Sequence, residues 1–389
     1  KEVYIGDHAF PLLVETIHLS SDQRAQILFR PEDVALSASK KDLGCFPIGK
    51  GEIIEKGFKG PVEHLRVEIP PIRGVRSISP SIPYGHPGFI LDVNRSPEQS
   101  INAPFEIGHK AWVGVRRLHV LSHPGLNFLL VTDGSLRSQS ALAQGGYMAR
   151  MSHAQLVLLG IGDDQARLEE HLLDARKLIG SGMASFEVEM SSAPFNEAIA
   201  KAVEKRPIDL LILGWRPTAG YDQPEQALQT GEHHLFLATN PVAQLRKALI
   251  CLKSGEPGKD NVVFAGRLLR HMGAEATLMT VIPNTPPGEE YSSLRIERFL
   301  SDGQKSLDLF GVDSQIRIRK GGLIPAIQEE LTMENYDLVV LGAPLPKSNL
   351  KPMLNGVTGE IISTIEGCSF LIIRSRQYQR MQNRFRRII

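Results

Sequence analysis

The sequence predicts a multi-domain protein in which an all-β unit precedes two α/β units, each a doubly wound parallel sheet. Three observations carry this prediction. Short strand-like segments divided by Gly and Pro fill the first third, strand and helix patterns alternate after Pro124, and that alternation occurs twice in the same order. The predicted boundaries are 1–121 for the β unit, 122–246 and 247–376 for the α/β units, and 377–389 for a basic tail.

The bulk composition limits the size class and the partners. Of 389 residues, 42% are apolar and 22% are charged, and the net charge is +1. A near-neutral chain of this length fits two or three domains and argues against nucleic-acid binding, which needs a basic excess. No apolar run reaches about 18 residues, so no transmembrane helix is predicted, and no secretory signal is present. Three scattered cysteines, Cys45, Cys251 and Cys368, favour a reducing cytoplasm over disulfides or zinc.

The first unit is predicted to be all β. Residues 1–121 hold 11 of the 25 prolines, and the segments between them are short. In "HLRVEI", Leu65 and Val67 alternate with Arg66 and Glu68, and a period of two residues is typical of a half-buried strand. With no long helical period in this part of the chain, a barrel or a sandwich is expected.

The chain after Pro124 alternates between strand and helix patterns. The segments are "NFLLVTD", "SALAQGGYMARM", "AQLVLLGIG", "QARLEEHLLDARKLI", "SFEVEM", "FNEAIAKAVEK" and "IDLLILGW". Continuous apolar strands such as "IDLLILGW" are typical of a parallel sheet that is covered on both faces. This order of elements predicts a doubly wound α/β unit.

The same order of elements then repeats. "KALICLK" corresponds to "NFLLVTD", "RLLRHMGAEATLMTVI" to "YMARMSHAQLVLLGIG", and "YDLVVLGA" to "IDLLILGW". An internal repeat of this kind predicts two similar units that pair about a pseudo-two-fold axis, because a self-matching surface in one unit finds its counterpart in the other.

A glycine edge in the second copy is the candidate binding site. Gly342 ends the strand of "YDLVVLGA", and ligands of doubly wound sheets bind at the carboxyl ends of strands. Gly356 then precedes Val357, Thr358 and a helix expected to start near Gly359. Free N–H groups at a helix start favour a phosphate, and a threonine hydroxyl adds a donor or a cap. Two interpretations stay open: a phosphate cradle, or an ordinary loop with a helix N-cap.

The repeated units resemble the universal stress protein family. Residues 247–374 carry the family's final strand, glycine loop, helix and last strand in "DLVVLGA", "GVTGEIISTI" and "CSFLIIRS", and residues 127–245 follow the pattern less closely. The resemblance implies a Rossmann-like fold. ATP-binding members hold adenine with an aspartate at the end of the first strand and the phosphates with the glycine motif. By position that aspartate is Asp133, and Lys253 takes its place in the second copy.

Each copy keeps only part of the family's motif. The second glycine of the motif falls at Leu345 in one copy and at Pro217 in the other, and Gly231 is followed by Glu232, whose charge would repel a phosphate. The first unit is therefore not expected to bind ATP by the family's route. The second is expected to bind ATP or AMP weakly, without a metal. The other interpretation of Asp133 is a polar residue in an Asp-Gly-Ser turn that caps the next helix.

The first 121 residues resemble the transport-associated OB-type domain, called TOBE. The segments that carry the resemblance are "ILFRPEDVALS", "GEIIEKGFKGPVEHLRVEI" and "FEIGHKAWVGVRRLHVL", of which Arg30 to Asp33 is the most specific part. TOBE domains follow the ATPase domain in ABC importers of the polyamine, ferric iron and sulfate type, so the resemblance implies an OB-like barrel with a regulatory or dimerising role. The plainer interpretation of Arg30, Glu32 and Asp33 is a turn with a local ion pair, which contributes little.

No enzyme activity is predicted. The sequence has no GxxxxGK[ST] phosphate loop and no recognisable catalytic nucleophile, so no catalytic residue is assigned. Slow ATP hydrolysis or phosphotransfer at the second unit ranks last, because no metal-binding carboxylate lies beside Thr358. A metal at His233–His234 is weighed against a helix-surface or interface pair, which is preferred. The simplest account is the C-terminal regulatory portion of an importer ATP-binding protein, with its ATPase domain outside this chain.

Two functional hypotheses result from these patterns. The first is sensing of a nucleotide or small anion, and the second is a ligand-free dimerisation or interaction scaffold. The expected partners are ABC transporter ATPase or permease subunits, or a second copy of the chain. The expected location is the cytoplasm, either free or in peripheral contact with a complex at the inner face of the membrane. The tail, with six arginines and no acidic residue from Arg374 to Ile389, is either a frayed end or a contact with an anionic surface.

Overall fold

A computed structural model of the chain divides into two compact units. The first comprises residues 1–124 with 308–311, and the second comprises 125–307 with 312–389. The structure describes residues 2–11, 25–75, 77, 84–85, 88–122, 125–216, 220–239, 244–253, 256–284, 293–343, 354 and 356–374, with the side chains of 121–122 and 256–257 left out. The predicted basic tail, residues 377–389, lies outside these ranges.

The first unit is built from antiparallel strands. Its elements are β1 (Glu2–Ile5), β2 (His8–Pro11), β3 (Ala25–Leu28), β4 (Val34–Ser37), β5 (Phe46–Lys59), β6 (Val62–Ile69), β7 (Phe89–Arg95), α1 (Pro97–Asn102), β8 (Lys110–Val115) and β9 (His119–Ser122). Five strands form one sheet in the order β4-β8-β5-β6-β7, and two further pairs are β1-β2 and β3-β9. Alternate residues of β6 are buried, as the period of two predicts.

A short helix and a buried ion pair interrupt this all-β pattern. Helix α1 starts with a capping box in which Ser96 and Gln99 bond each other's main chain. Behind it, Arg95 Nη1 lies 3.0 Å from Glu63 Oε2, and both side chains are almost fully buried. Arg95 also donates to the carbonyl oxygens of Gln99 and Ala103, so the ion pair fixes the turn that follows β7.

The all-β prediction for this part of the chain is confirmed apart from α1, whereas closure into an OB-type barrel stays a prediction. Arg30 and Glu32 form an exposed pair at 3.9 Å beside a single 3-10 turn, Pro31–Asp33. That geometry agrees with the plainer interpretation of these residues.

The second unit contains the repeat. Its first half comprises β10 (Asn127–Thr132), α2 (Ser138–Met151), β11 (Gln155–Ile161), α3 (Gln165–Ile179), β12 (Ser185–Ser191), α4 (Phe195–Lys205), β13 (Leu210–Gly214), α5 (Asp222–Gln229) and β14 (His234–Ala238). Its second half comprises β15 (Lys247–Cys251), α6 (Glu256–Leu269), β16 (Glu275–Ile282), α7 (Ser293–Phe310), β17 (Ser314–Lys320), α8 (Leu323–Met333), β18 (Leu338–Gly342), α9 (Val357–Thr364) and β19 (Ser369–Ile373). The helix predicted to start near Gly359 therefore starts two residues earlier.

The two halves form one continuous sheet of ten strands. The order is β12-β11-β10-β13-β14-β19-β18-β15-β16-β17, so each half has its first strand beside its fourth and is doubly wound. Strands are parallel within a half, but β14 and β19 pair antiparallel, with Phe236 opposite Leu371. The carboxyl ends of the two sets of strands therefore point to opposite edges of the sheet.

The matching strand orders confirm the prediction of two α/β units of the same kind, and the two halves share a hydrophobic core. One buried cluster on a single face of the sheet includes Leu129 and Leu213 from the first half and Leu249, Val339 and Phe370 from the second. The domain boundaries stay a prediction, because a compact unit is not shown to fold alone. Among the described residues, no helix combines the length and apolarity needed to span a membrane.

A buried polar network lies under α8 in the second half. Glu330 has no solvent exposure and accepts two hydrogen bonds from Arg319. The hydroxyl of Tyr336 donates to Glu330 Oε1 at 3.0 Å and lies 3.0 Å from Thr277 Oγ1. Burial raises the pKa of Tyr336 to about 12. The network holds the start of β18 and the outer strand β17 against the same helix.

Candidate functional site

The structure brings the second-half candidates to one edge of the sheet. Strands β15 and β18 are parallel neighbours, with Ala248 opposite Leu338. Lys253 follows the end of β15, and Gly342 is the last residue of β18, so both lie at the carboxyl edge. In this half the strand order reverses between β15 and β18, which is the position where ligands bind in doubly wound sheets.

The start of α9 lies at the same edge. Gly356 is the N-cap residue, its φ is 155°, and nothing lies within 4 Å of the position where a Cβ would be. Gly359, in contrast, could not carry a side chain, because its Cβ would lie 1.9 Å from the carbonyl oxygen of Leu354. Val357 is 51% exposed. The first N–H groups of α9 have no carbonyl partner within the helix, so they can donate toward solvent or an anion.

Thr358 acts as an internal tie in this structure. Its hydroxyl donates to the carbonyl oxygen of Gly342 at 2.9 Å, and no side chain caps α9. The predicted alternatives for Thr358 were a donor to phosphate or a helix cap, and neither matches this bond. The tie holds the first turn of α9 against the end of β18.

Asn261 on α6 belongs to this edge and was not predicted from the sequence. This residue is 4% exposed, and its Nδ2 lies 3.4 Å from the carbonyl oxygen of Cys251. Its side chain also lies 3.4 Å from the position where Gly342 would carry a Cβ. Asn261 therefore occupies the crevice between the ends of β15 and β18. One sign of this buried position was present in the sequence: Asn261 lies on the same face of α6 as the buried Ala265 and Leu268.

Asp133 lies at the opposite edge of the sheet. It follows β10 of the first half, whose carboxyl end points away from that of β15, so it cannot join Lys253 and Gly342 in one site. Its carboxylate accepts a hydrogen bond from the N–H of Ser135 at 2.9 Å and lies 3.6 Å from Arg137. These contacts are those of a local Asx turn ahead of α2.

A hydroxyl cluster beside Asp133 was also missed. Thr132 Oγ1 lies 2.9 Å from Ser138 Oγ and 3.0 Å from His171 Nε2. Both hydroxyl-bearing residues are buried, at 1% and 4% exposure, so the cluster fastens α2 and α3 to the end of β10. Only the fold brings His171 to this position, since 39 residues separate it from Thr132.

The equivalent crevice of the first half is closed by main chain. Gly214 ends β13, and a Cβ there would lie 2.0 Å from the carbonyl oxygen of Arg137, so the start of α2 packs directly on this strand end. The following Trp215 is buried and donates to the carbonyl oxygen of Gly220 at 2.9 Å.

The assignment of Gly231 and Glu232 to the phosphate position was wrong. Helix α5 runs from Asp222 to Gln229, so Gly231 follows the helix instead of preceding it. The start of α5 corresponds to that of α9, and Tyr221 stands at its N-cap. The polar sequence "DQPEQALQ" has too little apolar periodicity to reveal this helix.

The histidine pair is buried between elements. His233 Nε2 lies 2.9 Å from the carbonyl oxygen of Ala227, and His234 Nδ1 accepts from the N–H of Arg374 at 3.0 Å. Of the two preferred alternatives, the helix-surface one is wrong, because His234 opens β14 and both residues are buried. The interface alternative agrees with the bond from Arg374, which belongs to the other half. Across the described ranges, no group of three or more His, Cys, Asp or Glu side chains could hold a metal ion.

Several solved structures are similar to this chain. A universal stress protein from Archaeoglobus fulgidus DSM 4304 has 17% sequence identity and a TM-score of 0.49, over 64% of this chain and 98% of that one. The functionally unknown protein PA1789 from Pseudomonas aeruginosa PAO1 has 16% identity and a TM-score of 0.47, over 65% and 94%. A universal stress protein in complex with cAMP has 18% identity and a TM-score of 0.27, over 30% and 98%.

No protein-family model matches the chain, and no curated protein matches it. At the identities and TM-scores above, the likeness carries no argument about function. The description of the two doubly wound halves rests on the strand order of this chain.

Proposed function

We propose that the second half binds a nucleotide or small anion, such as ATP or AMP, at the carboxyl edge of β15 and β18. The observation that carries the proposal is the convergence of Lys253, Gly342 and the start of α9 at the reversal of strand order. An ammonium group and the first N–H groups of α9, which have no carbonyl partner within the helix, suit a phosphate or carboxylate. No metal ligand is required for this mode of binding.

Binding at this edge is expected to be weak. Asn261 already fills the crevice beside Gly342, and the hydroxyl of Thr358 is engaged by the main chain. A ligand would rely on Lys253 and on the N–H groups of Val357 and its neighbours. Donors at an exposed edge are screened by solvent, so an affinity in the micromolar to millimolar range is expected.

The contacts of α9 give the proposed site a route to the other half. The hydroxyl of Tyr221, at the start of α5, donates to the carbonyl oxygen of Gly359 at 2.7 Å. Glu225 accepts from the N–H of Leu354 at 2.8 Å. A ligand that repositions the first turn of α9 would therefore disturb α5 directly. This coupling supports a regulatory role over an enzymatic one.

The transporter context is part of the proposal and rests on the resemblance of residues 1–121 alone. In that context the chain regulates an importer ATPase from the cytoplasm, and the ATPase or permease subunits are its partners. Size-exclusion chromatography of the chain with such an ATPase subunit from the same organism tests this part. A shared peak that ATP or AMP shifts is expected, and separate elution under all ligand conditions would remove the transporter context.

Isothermal titration calorimetry tests the ligand site. ATP, ADP, AMP and cAMP are titrated into the full chain, and saturable heat is expected from at least one of them. Lys253→Glu should weaken binding about tenfold or more, because it replaces the cation at the site. Asp133→Ala is the matched control, since it alters the opposite edge and should leave affinity unchanged. Absence of heat at millimolar ligand would overturn the proposal.

The second candidate function is a ligand-free scaffold. This function is favoured because the side chain of Asn261 fills the crevice beside Gly342, and because main chain closes the equivalent crevice at Gly214. Asn261→Ala separates the two candidates, because it opens the crevice. Measurable ATP or AMP binding that appears only in this variant would support the scaffold, with a site closed by its own side chain. Binding already present in the unaltered chain would support sensing.

A further inference from the structure

The two outer strands of the ten-stranded sheet carry opposite charges. Within the described residues, β12 and β17 end the sheet, and no strand pairs with their outer sides. Strand β12 has the sequence "SFEVEMS" and β17 has "SQIRIRK". The charged residues within β12 are thus Glu187 and Glu189, whereas Arg317 and Arg319 lie at the corresponding positions of β17. Both strands place apolar side chains between the charged ones.

The charged residues of both strands project from the same face of the sheet. Residues that lie opposite each other in neighbouring strands have their side chains on the same face of the sheet. Following these pairs across the ten strands places Glu187, Leu249 and Gln315 on one face. The period of two adds Glu189 in β12, and Arg317 and Arg319 in β17. The apolar Val188 and Ile318 project from the other face and are 38% and 39% exposed.

In each outer strand, the main-chain N–H and C=O groups of alternate residues point away from the sheet, and these residues include Val188 in β12 and Ile318 in β17. The N–H of Gly162 donates to the carbonyl oxygen of Ser191, so Ser191 faces the inner neighbour β11 and alternation turns Val188 outward. On the other side, the N–H of Gly321 donates to the carbonyl oxygen of Ile282, so alternation turns Ile318 outward from β17. Neither ladder contains a register shift along these strands.

We propose that β12 of one copy of the chain pairs antiparallel with β17 of a second copy, with Val188 opposite Ile318. Because the strands of the two halves already run in opposite directions, a copy translated along the sheet presents β17 antiparallel to β12. Val188 and Ile318 then form a hydrogen-bonded pair through their outward main-chain groups. The neighbouring positions, where side chains approach to about 4.5–5.5 Å between Cβ atoms, pair Glu187 with Arg319 and Glu189 with Arg317.

Like strands do not fit each other in this way. Antiparallel pairing of two β12 strands about Val188 would set Glu187 opposite Glu189, and pairing of two β17 strands about Ile318 would set Arg317 opposite Arg319. Like charges directly opposite each other are destabilising. The favoured contact therefore joins two different surfaces, and such a contact extends into an open row of copies instead of closing as a dimer.

The charged side chains also have partners within their own chain. Glu187 and Glu189 each lie 2.7 Å from Arg206, and Arg319 bonds Glu330. Pairing of copies would therefore join two ion-pair networks across the new strand contact. Arg317 lies 3.6 Å from Glu330 and from Glu334. In each proposed pair one side chain is more exposed than the other: Glu187 is 57% and Arg319 26% exposed, and Arg317 is 39% and Glu189 20% exposed.

Sedimentation velocity of the full chain over a range of concentrations tests the proposal. The unaltered chain should form oligomers whose size grows with concentration and falls with added salt, because exposed ion pairs are screened. Val188→Lys and Ile318→Glu should each weaken association about tenfold or more, since each removes the central apolar pair. Both side chains are exposed in the single chain, so folding should be unaffected. Ile101→Lys, at a position 78% exposed in the first unit, is the control.

An equimolar mixture of the two variants gives the decisive result. Each contact in an alternating row is then either the native Val188–Ile318 pair or a pair of the introduced lysine with the introduced glutamate. The mixture should therefore regain oligomers that neither variant forms alone. A chain that stays monomeric at high concentration would overturn the proposal. Oligomers unaffected by either variant, or a mixture that behaves like its components, would also overturn it. The outcome is independent of nucleotide binding.

Discussion

The hydroxyl of Thr358 donates a hydrogen bond to the carbonyl oxygen of Gly342, 2.9 Å away. This bond joins the first turn of α9 to the end of β18, across the chain segment that separates them. A residue that the glycine-loop pattern marks for a ligand is thus used to hold the loop's own ends together. The N–H groups of α9 and Lys253 are left as the donors for the proposed anion.

Removal of this bond should destabilise the α9 corner. Thr358→Val keeps the branched shape but loses the hydroxyl, so the free energy of unfolding should fall by about 1 kcal/mol. Thr358→Ser keeps the hydroxyl and should lose less. Chemical denaturation of both variants measures the difference. Equal stability of the Val variant and the unaltered chain would show that the bond contributes nothing.

Gly359→Ala should also destabilise, against the usual helix preference. An alanine normally stabilises a helix by up to about 1 kcal/mol relative to glycine. Here its Cβ would lie 1.9 Å from the carbonyl oxygen of Leu354, so main chain must move, at a cost of about 2 kcal/mol. Thermal unfolding measures the change, and Thr364→Ala, an exposed position in the same helix, is the control. A stabilised Gly359→Ala variant would contradict the described turn at Leu354.

Two adjacent glutamates of α8 should differ sharply in their effect on stability. Glu330 is fully buried and bonds Arg319 and Tyr336, so Glu330→Gln should lower the free energy of unfolding by at least about 2 kcal/mol. The neighbouring Glu329 lies 3.6 Å from Arg319 and its side chain is 55% exposed, so Glu329→Gln should cost less than about 1 kcal/mol. Urea unfolding of the pair compares them, and equal losses would contradict the buried network.

Tyr336 should make the stability of the second unit fall at high pH. Burial raises the pKa of its hydroxyl from 10.0 to about 12. Because the folded chain holds this proton more tightly than the unfolded chain, the stabilisation is fully present below pH 10.0 and is lost as pH rises toward 12. Unfolding free energies across this window should decline less steeply in Tyr336→Phe. Lysines titrate in both proteins, so the comparison uses the difference between their slopes of unfolding free energy against pH. Identical slopes would show that Tyr336 does not contribute to the loss of stability.

Much of the fold could be predicted because it depends on local periodicity. Continuous apolar runs such as that of β13, between Leu210 and Gly214, are typical of a strand covered on both faces, and the repeat gives the same order twice. Helix α5 was missed because its stability comes from packing of Ala227 and Leu228 on the sheet, which its polar sequence does not reveal.

The candidate site could be predicted only in part. Gly342 and Gly356 were predicted from the local signatures of a strand end and a helix start, and Lys253 from its place in the family pattern. A ligand at these residues stays a prediction. Asn261 was not found, since an amide in a helix gives no sign of the strand ends that it will fill. Asp133 was assigned to the first unit by the family resemblance, and the fold places it at the opposite edge of the sheet from Gly342.

The sequence by itself determined the class of each unit, the order of strands and helices in the repeat apart from α5, and the glycines at the strand and helix ends. These follow from side-chain period and main-chain freedom, which are properties of neighbouring residues. Only the tertiary structure decided that β14 meets β19 antiparallel, that Asp133 and Gly342 lie at opposite edges, and that acidic and basic strands end the same sheet. Those relationships depend on how residues more than a hundred positions apart pack together, and a local sequence pattern contains no information about such long-range contacts.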